Sequence, residues 1–262
     1  MISVCLPVYA MPVAWLAMES LCNQQKIIQW ELLIFEDENY PLCPEFYKKY
    51  IPRLSKIGCI SVKYKYCPQR TSLAQKWRDM ALNISDNSIG VILQGADNYS
   101  EPKRINRSYH RLLRGYDWSY CHNALFYSFT HRRILLYSAP GIGIGGDMAI
   151  CRELAMKLPD EVRWSGVDSW IMRQLNILKP GLKIFEDYGD GWKRGINTEG
   201  ANRISINRNK FWAKLEYPFV ETTIKISDYL PKYIYEKLIT YSREKSVNPP
   251  NFPNTNLQYI KL

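Results

Sequence analysis

In Val91-Ile92-Leu93-Gln94-Gly95-Ala96-Asp97-Asn98-Tyr99 an apolar run stops abruptly at small and acidic residues. A parallel strand buried on both faces reads this way where it reaches the carboxyl edge of its sheet, and open α/β sheets bind ligands at that edge. Upstream, Leu32-Leu33-Ile34-Phe35-Glu36-Asp37-Glu38-Asn39 repeats the pattern. Two such strands predict one cleft that handles a metal, a sugar or a nucleotide. The same residues also suit two ordinary strand-to-helix turns, with Asp and Asn as turn and cap residues.

Working outward, Ile2–Leu6 and Gln29–Phe35 read as strands, with a helix over Val13–Leu21 between them. A short helix is expected over Pro44–Tyr50. Ile60–Tyr66 alternates apolar with polar and predicts a half-exposed strand. Ser72–Ile84 predicts a helix capped by Thr71 or Ser72. Beyond Asp97, helices are expected over Pro102–Leu113, Met148–Leu158, Ser165–Leu178 and Tyr229–Glu244. Strands are expected over Asp117–Tyr127, Arg132–Tyr137 and Leu182–Phe185. Strands alternating with helices predict an α/β fold with a mainly parallel, doubly wound sheet. Gly141, Gly143 and Gly146 satisfy G-x-G-x-x-G, but mid-chain and without an acid at the ribose-binding distance, so the match reads as chance.

The 262 residues suffice for one large α/β domain or two small ones. A net charge of +10 favours polyanions or phosphorylated substrates, and equally suits a solvated basic surface. Nineteen Tyr and eight Trp fill cores, and they also line sites that stack sugars or bases. The seven Cys are scattered without a C-x-x-C pair, which argues against disulfide or zinc frameworks and for a reducing, cytoplasmic compartment. His110, His122 and His131 form no paired metal motif. Met1–Met18 carries no charge, yet Pro7 and Pro12 interrupt it and no basic region leads it. No transmembrane segment or signal peptide is expected there.

In order along the chain, the motifs resemble family 2 glycosyltransferases of the GT-A (nucleotide-diphospho-sugar transferase) fold. Ile2-Ser3-Val4-Cys5-Leu6-Pro7-Val8-Tyr9 is similar to the family's opening strand with its P-x-Y exit. Glu19-Ser20-Leu21-Cys22-Asn23-Gln24 resembles its S-L-x-x-Q helix end, and Trp30–Asp37 its W-E-L-I-I-V-D-D strand. Arg78-Asp79 stands where R-N is usual, and Gln94–Asn98 where L-D-x-D-D is usual. Gly166-Val167-Asp168 with Arg173 resembles the G-E-D…R segment. The likeness runs from about residue 2 to residue 175. Gly95 replaces the first Asp of D-x-D, Glu36 the first Asp of D-D, and Val167 the Glu of E-D. The tail, including Gly195–Ser205, matches no part of the family.

The resemblance implies a GT-A catalytic domain over residues 1–215, with a helix and extended tail over 216–262 packing on it. It implies a nucleotide-sugar donor, foremost a UDP-sugar, held by Pro7, Tyr9, Glu36, Asp37, Lys76, Arg78 and Asp97. It implies Mn²⁺ or Mg²⁺ on Asp97, with Asn98 as a neutral oxygen ligand. Asp168 becomes the general base of an inverting displacement, and Trp164 and Trp170 stack on the acceptor. Read from its position alone, Asp168 is equally an acid stabilising its own helix start. The basic residues of 103–114, Arg132-Arg133, Lys193-Arg194, Arg203, Arg208 and Lys210 make hydroxymethylated pyrimidine in double-stranded DNA one candidate acceptor. Viral base glucosylation would place such an enzyme in host cytoplasm. A surface polysaccharide is the other candidate, and a non-catalytic nucleotide- or sugar-binding module the alternative class.

Overall fold

The computed structural model describes residues 1–8, 14–26, 28–37, 43–128, 133–138, 148–164, 166–187, 203–207, 219–221, 227 and 230–247. Two compact units divide the chain, Met1–Thr223 and Ile224–Leu262.

Three apolar runs become the centre of a seven-stranded sheet: β1 (Ile2–Val8), β2 (Trp30–Asp37) and β4 (Gly90–Leu93). With β3 (Cys59–Cys67), β6 (Trp118–Cys121), β9 (Ala149–Cys151) and β10 (Ile184–Asp187), the order is β10-β6-β9-β4-β1-β2-β3. The β1–β2, β2–β3, β1–β4 and β6–β10 pairs are parallel. Only β9 runs against its neighbours β4 and β6. Six strands therefore end at one edge.

Side chains of β1 and β2 alternate between two cores. Val4, Leu6, Leu32 and Ile34 pack with α1 (Ala14–Cys22), α3 (Ile51–Lys56) and α5 (Arg104–Leu113). Cys5, Leu33, Phe35, Leu93, Trp118 and Tyr120 pack on the other face with α4 (Leu73–Leu82), α6 (Arg152–Met156) and α7 (Val167–Leu178). Helices on both faces bury both, which is why these strands read as continuous apolar runs. Helices α4, α5 and α7 lead into β4, β6 and β10, so each begins at the carboxyl edge.

A second sheet has the order β12-β8-β7-β11-β5, from β5 (Asn98–Ser100), β7 (Asn123–Ser128), β8 (Arg133–Ser138), β11 (Arg203–Asn207) and β12 (Phe219–Glu221). Asp117–Tyr127, expected as one strand, is two strands in different sheets that meet at His122. Met148–Leu158, expected as one helix, opens with strand β9 before α6. A three-residue strand is too short to display a period. Helix α2 (Cys43–Lys48) lies where the short helix was expected, and Ser72 caps α4 by accepting from Gln75 N at 3.3 Å. In the second unit, α8 (Lys232–Val247) buries Ile234 and Leu238 at a four-residue spacing. No helix among the described residues is long and apolar enough to cross a membrane.

At the edge away from the acidic loops, Glu31 is fully buried and fully bonded. Ser3 Oγ and Ser85 N donate to Oε1 at 2.6 and 2.7 Å, and Ser85 Oγ donates to Oε2 at 2.6 Å. Lys63 Nζ lies 3.0 Å from Oε2. Burial alone would raise this carboxyl, but the four donors together hold it below the usual carboxylate range.

Candidate active site

Asp37 is the last residue of β2 and has no solvent exposure. Its Oδ1 forms a tight ion pair with Lys76 Nζ, and Thr71 N donates to Oδ2 at 3.2 Å. Lys76 also donates to Val8 O at 2.6 Å, which fixes the ends of β1 and β2 to the first turn of α4. Burial raises the Asp37 carboxyl and lowers the Lys76 ammonium, outweighing their mutual attraction. Lys76 was expected to meet donor phosphates; only 2% exposed, it is committed to Asp37 instead. Arg78 is two residues on, about 200° around the helix. It faces Asp79 at 3.3 Å and Asp160 at 3.9 Å, away from Asp37.

Glu36 points to the opposite face of the sheet, as strand alternation requires. Tyr47 and Tyr64 donate their hydroxyls to it at 3.1 and 2.9 Å. It is 1% exposed, so its carboxylate serves the packing of α2 against β3. Pro7 is buried in β1 opposite Phe35. Tyr9 lies outside the described residues.

The loop after β4 is held from beneath by Arg104, which in the sequence is only one of the basic residues of 103–114. Arg104, 3% exposed, donates to Leu93 O and Gln94 Oε1 at 2.6 Å and to Ser100 Oγ at 2.7 Å. Gln94 in turn donates to Gly95 O and Asn98 O at 3.0 and 3.1 Å. The turn closes through Asn98 N to Gly95 O at 3.1 Å. Asp97 sits half-buried within it.

A Cβ on Gly95 would collide with the Asn98 amide nitrogen, stand 2.8 Å from Asn98 Cγ and 3.2 Å from Asp97 Oδ1. The missing first acid is therefore a space that Asn98 fills. The loop offers one carboxylate and one neutral amide. That set fits a hard divalent cation which keeps most of its ligands as waters or substrate oxygens. Among the described residues, no three of His, Cys, Asp and Glu form a metal cage.

Asp168 stands in the first turn of α7, after Gly166 at φ 60°, a left-handed backbone that favours glycine. It is half-buried and at the carboxyl edge. Trp170, expected to stack on an acceptor, is 1% exposed and donates Nε1–H to Glu161 Oε2 at 2.6 Å; it belongs to the core. Trp164 is 44% exposed, with the Arg70 guanidinium 4.4 Å from its ring centroid.

His122, which belongs to no paired metal motif, directly follows β6. It is 2% exposed, with Nε2 3.3 Å from Glu186 Oε2 on β10. Trp118, Tyr120 and His122 stack in turn along one strand face. That W-x-Y-x-H alternation was visible in the sequence.

The basic helix α5 spends its arginines internally. Arg104 is buried, Arg107 pairs with Glu101 at 2.8 Å, and Arg111 lies 4.1 Å above Phe185. Arg132, Lys193, Arg194, Arg208, Lys210, the 141–146 loop, Asp147 and Glu199 fall outside the described residues. For Arg133 and Arg203 only the backbone is described.

No protein-family model matches the chain, and no curated protein sequence does. Solved structures do. Glucosyl-3-phosphoglycerate synthase from Mycobacterium tuberculosis, in complex with Mn²⁺, UDP and phosphoglyceric acid, superposes with a TM-score of 0.53 at 13% identity. The match covers 82% of this chain and 73% of that one. The same enzyme with UDP-glucose gives 0.51 at 15% identity, covering 81% of this chain and 74% of that one. Mannosyltransferase PcManGT from Pyrobaculum calidifontis, with GDP-mannose and Mn²⁺, gives 0.56 at 11% identity. Here the match covers 79% of this chain and only 56% of the mannosyltransferase. The fold is thus GT-A, a mixed α/β architecture with a mostly parallel central sheet, shared with nucleotide-diphospho-sugar glycosyltransferases.

Proposed function

We propose that this GT-A chain is a glycosyltransferase that moves a sugar from a nucleotide-sugar donor to a hydroxyl acceptor with inversion. The observation that carries the reading is the convergence of Asp37, the Asp97 turn and the start of α7 with Asp168 on one sheet edge of a GT-A fold. The solved structures of that fold hold UDP, UDP-glucose or GDP-mannose together with Mn²⁺.

In this reading Asp37 stands at the base or ribose end of the donor, UDP-sugars being the first candidates, and since it is fully buried on Lys76 and Thr71 N it has to be uncovered to accept a donor hydroxyl. A carboxylate accepts two hydroxyl hydrogen bonds at once. Lys76 and Thr71 orient it. Asp97, with the Asn98 amide oxygen, would hold Mn²⁺ or Mg²⁺, which supplies Lewis-acid stabilisation of a departing diphosphate when bound. Arg104 and Gln94 keep that turn in shape. Asp168 removes the proton from the attacking hydroxyl as it approaches the anomeric carbon opposite the leaving group. The protein's own work is positioning: one carboxylate on a strand end, one in a braced turn and a third on a helix start.

For the acceptor, hydroxymethylated DNA and a polysaccharide hydroxyl remain the two candidates. A titration of double-stranded DNA against salt separates them, since each phosphate neutralised contributes a log–log slope of about −0.9. A flat slope removes DNA. For the reaction itself, a panel of UDP- and GDP-sugars with Mn²⁺ is scored for nucleoside diphosphate release. Release from one donor class, lost on chelation, supports the transferase. Tight nucleotide binding without any release, with or without acceptors, identifies a binding module.

A further inference from the structure

The amino edge of the central sheet, opposite the acidic turns, carries exposed aliphatic side chains among cations. Helices α5 and α7 end there, since each runs from the carboxyl edge back toward the start of β6 or β10. Their last turns hold Leu113, 59% exposed, and Ile177, 71% exposed, on the side where an amphipathic helix ordinarily carries polar residues. Each is followed within two residues by an exposed cation, Arg114 or Lys179.

Contacts between the two turns place these groups on one surface. Asp117 N donates to Lys183 O at 2.8 Å, and Lys183 N to Asp117 Oδ2 at 3.0 Å. Lys183 Nζ donates to Arg114 O at 3.1 Å and stands 4.8 Å from the Tyr116 ring centroid, so its stem covers an aromatic while its charge stays outside. The sign of the surface is one-sided. Arg114, Lys179 and Lys183 are exposed, whereas Asp117 lies behind Lys179, whose Nζ is 2.7 Å from Oδ2. Glu153, another carboxylate whose charge reaches Lys179, is paired with Lys157 at 2.6 Å.

We propose that this edge docks on an anionic membrane surface, with Leu113 and Ile177 entering the boundary between headgroups and acyl chains and Arg114, Lys179 and Lys183 meeting lipid phosphates. The chemistry is that of an interfacial anchor: apolar tips add buried area, and cations add attraction to anionic lipid. A nucleic-acid backbone would use the cations and leave the aliphatic tips in water. The net charge of +10 acts in the same direction as the patch. Docked this way, the chain turns its Asp97 and Asp168 edge away from the bilayer. The proposal stands apart from the nucleotide-sugar reading, because it uses none of the same residues.

Vesicle flotation tests the proposal, with phosphatidylcholine alone and with phosphatidylcholine containing phosphatidylglycerol, at low and moderate salt. The proteins are the wild type, Leu113→Ser/Ile177→Ser and Arg114→Gln/Lys183→Gln, with thermal melting to confirm folding. The wild type should float with the anionic vesicles, and less as salt rises. Each cation contributes about 5-fold to partitioning, so Arg114→Gln/Lys183→Gln should lose about 25-fold. Leu113→Ser/Ile177→Ser should lose about 10-fold. A wild type that stays unbound with anionic vesicles at low salt overturns the proposal. Folded variants that both float as well as the wild type also overturn it, because the contact then lies elsewhere. Loss confined to the cation variant identifies a surface for polyanions, double-stranded DNA included, and loss confined to the serine variant an apolar contact; each overturns the combined anchor.

Discussion

Replacing Lys76 with methionine removes the cation from a fully buried carboxylate that, among the described residues, has no other charged partner within bonding distance. The Asp37 side chain is 0% exposed and the Lys76 side chain 3%. Breaking such a pair strands a buried charge, which typically destabilises by about 3–5 kcal/mol. A domain of this size loses about 2–4 °C of Tm per kcal/mol, so Lys76→Met should melt roughly 6–20 °C lower at neutral pH. The defect has a pH signature. Without Lys76 the folded carboxyl titrates further above the unfolded value of about 3.9, so its contribution is favourable in acid and lost as pH rises through the folded pKa. The gap between mutant and wild type therefore narrows toward pH 4. Asp37→Asn/Lys76→Met removes both charges and should be more stable than Lys76→Met alone. Urea and thermal unfolding followed by circular dichroism measure wild type, Lys76→Met, Asp37→Asn and the double mutant. A single mutant within about 2 °C of wild type, below the smallest shift a broken buried pair should produce, would refute the reasoning, as would a double mutant that loses the sum of both singles.

Asp97→Asn should lower nucleoside diphosphate release about 10²-fold or more without moving the melting temperature; full activity in chelator would place leaving-group stabilisation on side chains. Asp168→Asn should keep nucleotide affinity by calorimetry while single-turnover transfer falls about 10²-fold; if both fall together, Asp168 belongs to the donor site or the scaffold. Acid unfolding should follow Glu31 and Asp117, both held below the ordinary range. In Asp117, burial would raise the carboxyl, but Lys179 at 2.7 Å and Lys183 N at 3.0 Å outweigh it. Depressed carboxyls stabilise above their unfolded pKa and lose that stability as pH falls through the folded value. Glu31→Gln should therefore flatten the decline of the urea midpoint below about pH 4.

The central sheet could be read from the chain because its strands are buried on both faces. Val91–Leu93 and Leu32–Phe35 have no polar side to interrupt them, and each stops at the acid it delivers. The Ser72 cap was legible for the same local reason. What escaped the sequence depends on contacts distant along the chain. Glu36 looked like half of an acidic pair, yet alternation turns it toward Tyr47 and Tyr64. Lys76 looked like a phosphate contact, but α4 lays it against Asp37. Arg104 counted as one of several basic residues until its guanidinium was found under the Asp97 turn, ten residues from Gln94. Strand β9 was lost because three residues carry no period, and the break at His122 because alternation continues across two sheets. Gly95 was read as a missing ligand, and the structure adds that Asn98 occupies the space an acid would need.

The central claim is that the carboxyl edge of the sheet is a nucleotide-sugar site. A crystal structure of the protein with UDP-glucose or GDP-mannose and Mn²⁺ tests it most directly. The account predicts the nucleoside against Asp37 at the end of β2, the diphosphate and metal over the Asp97 turn, and the sugar carbon facing Asp168. Nucleotide bound away from that edge, or at that edge with its diphosphate turned away from Asp97, would contradict it.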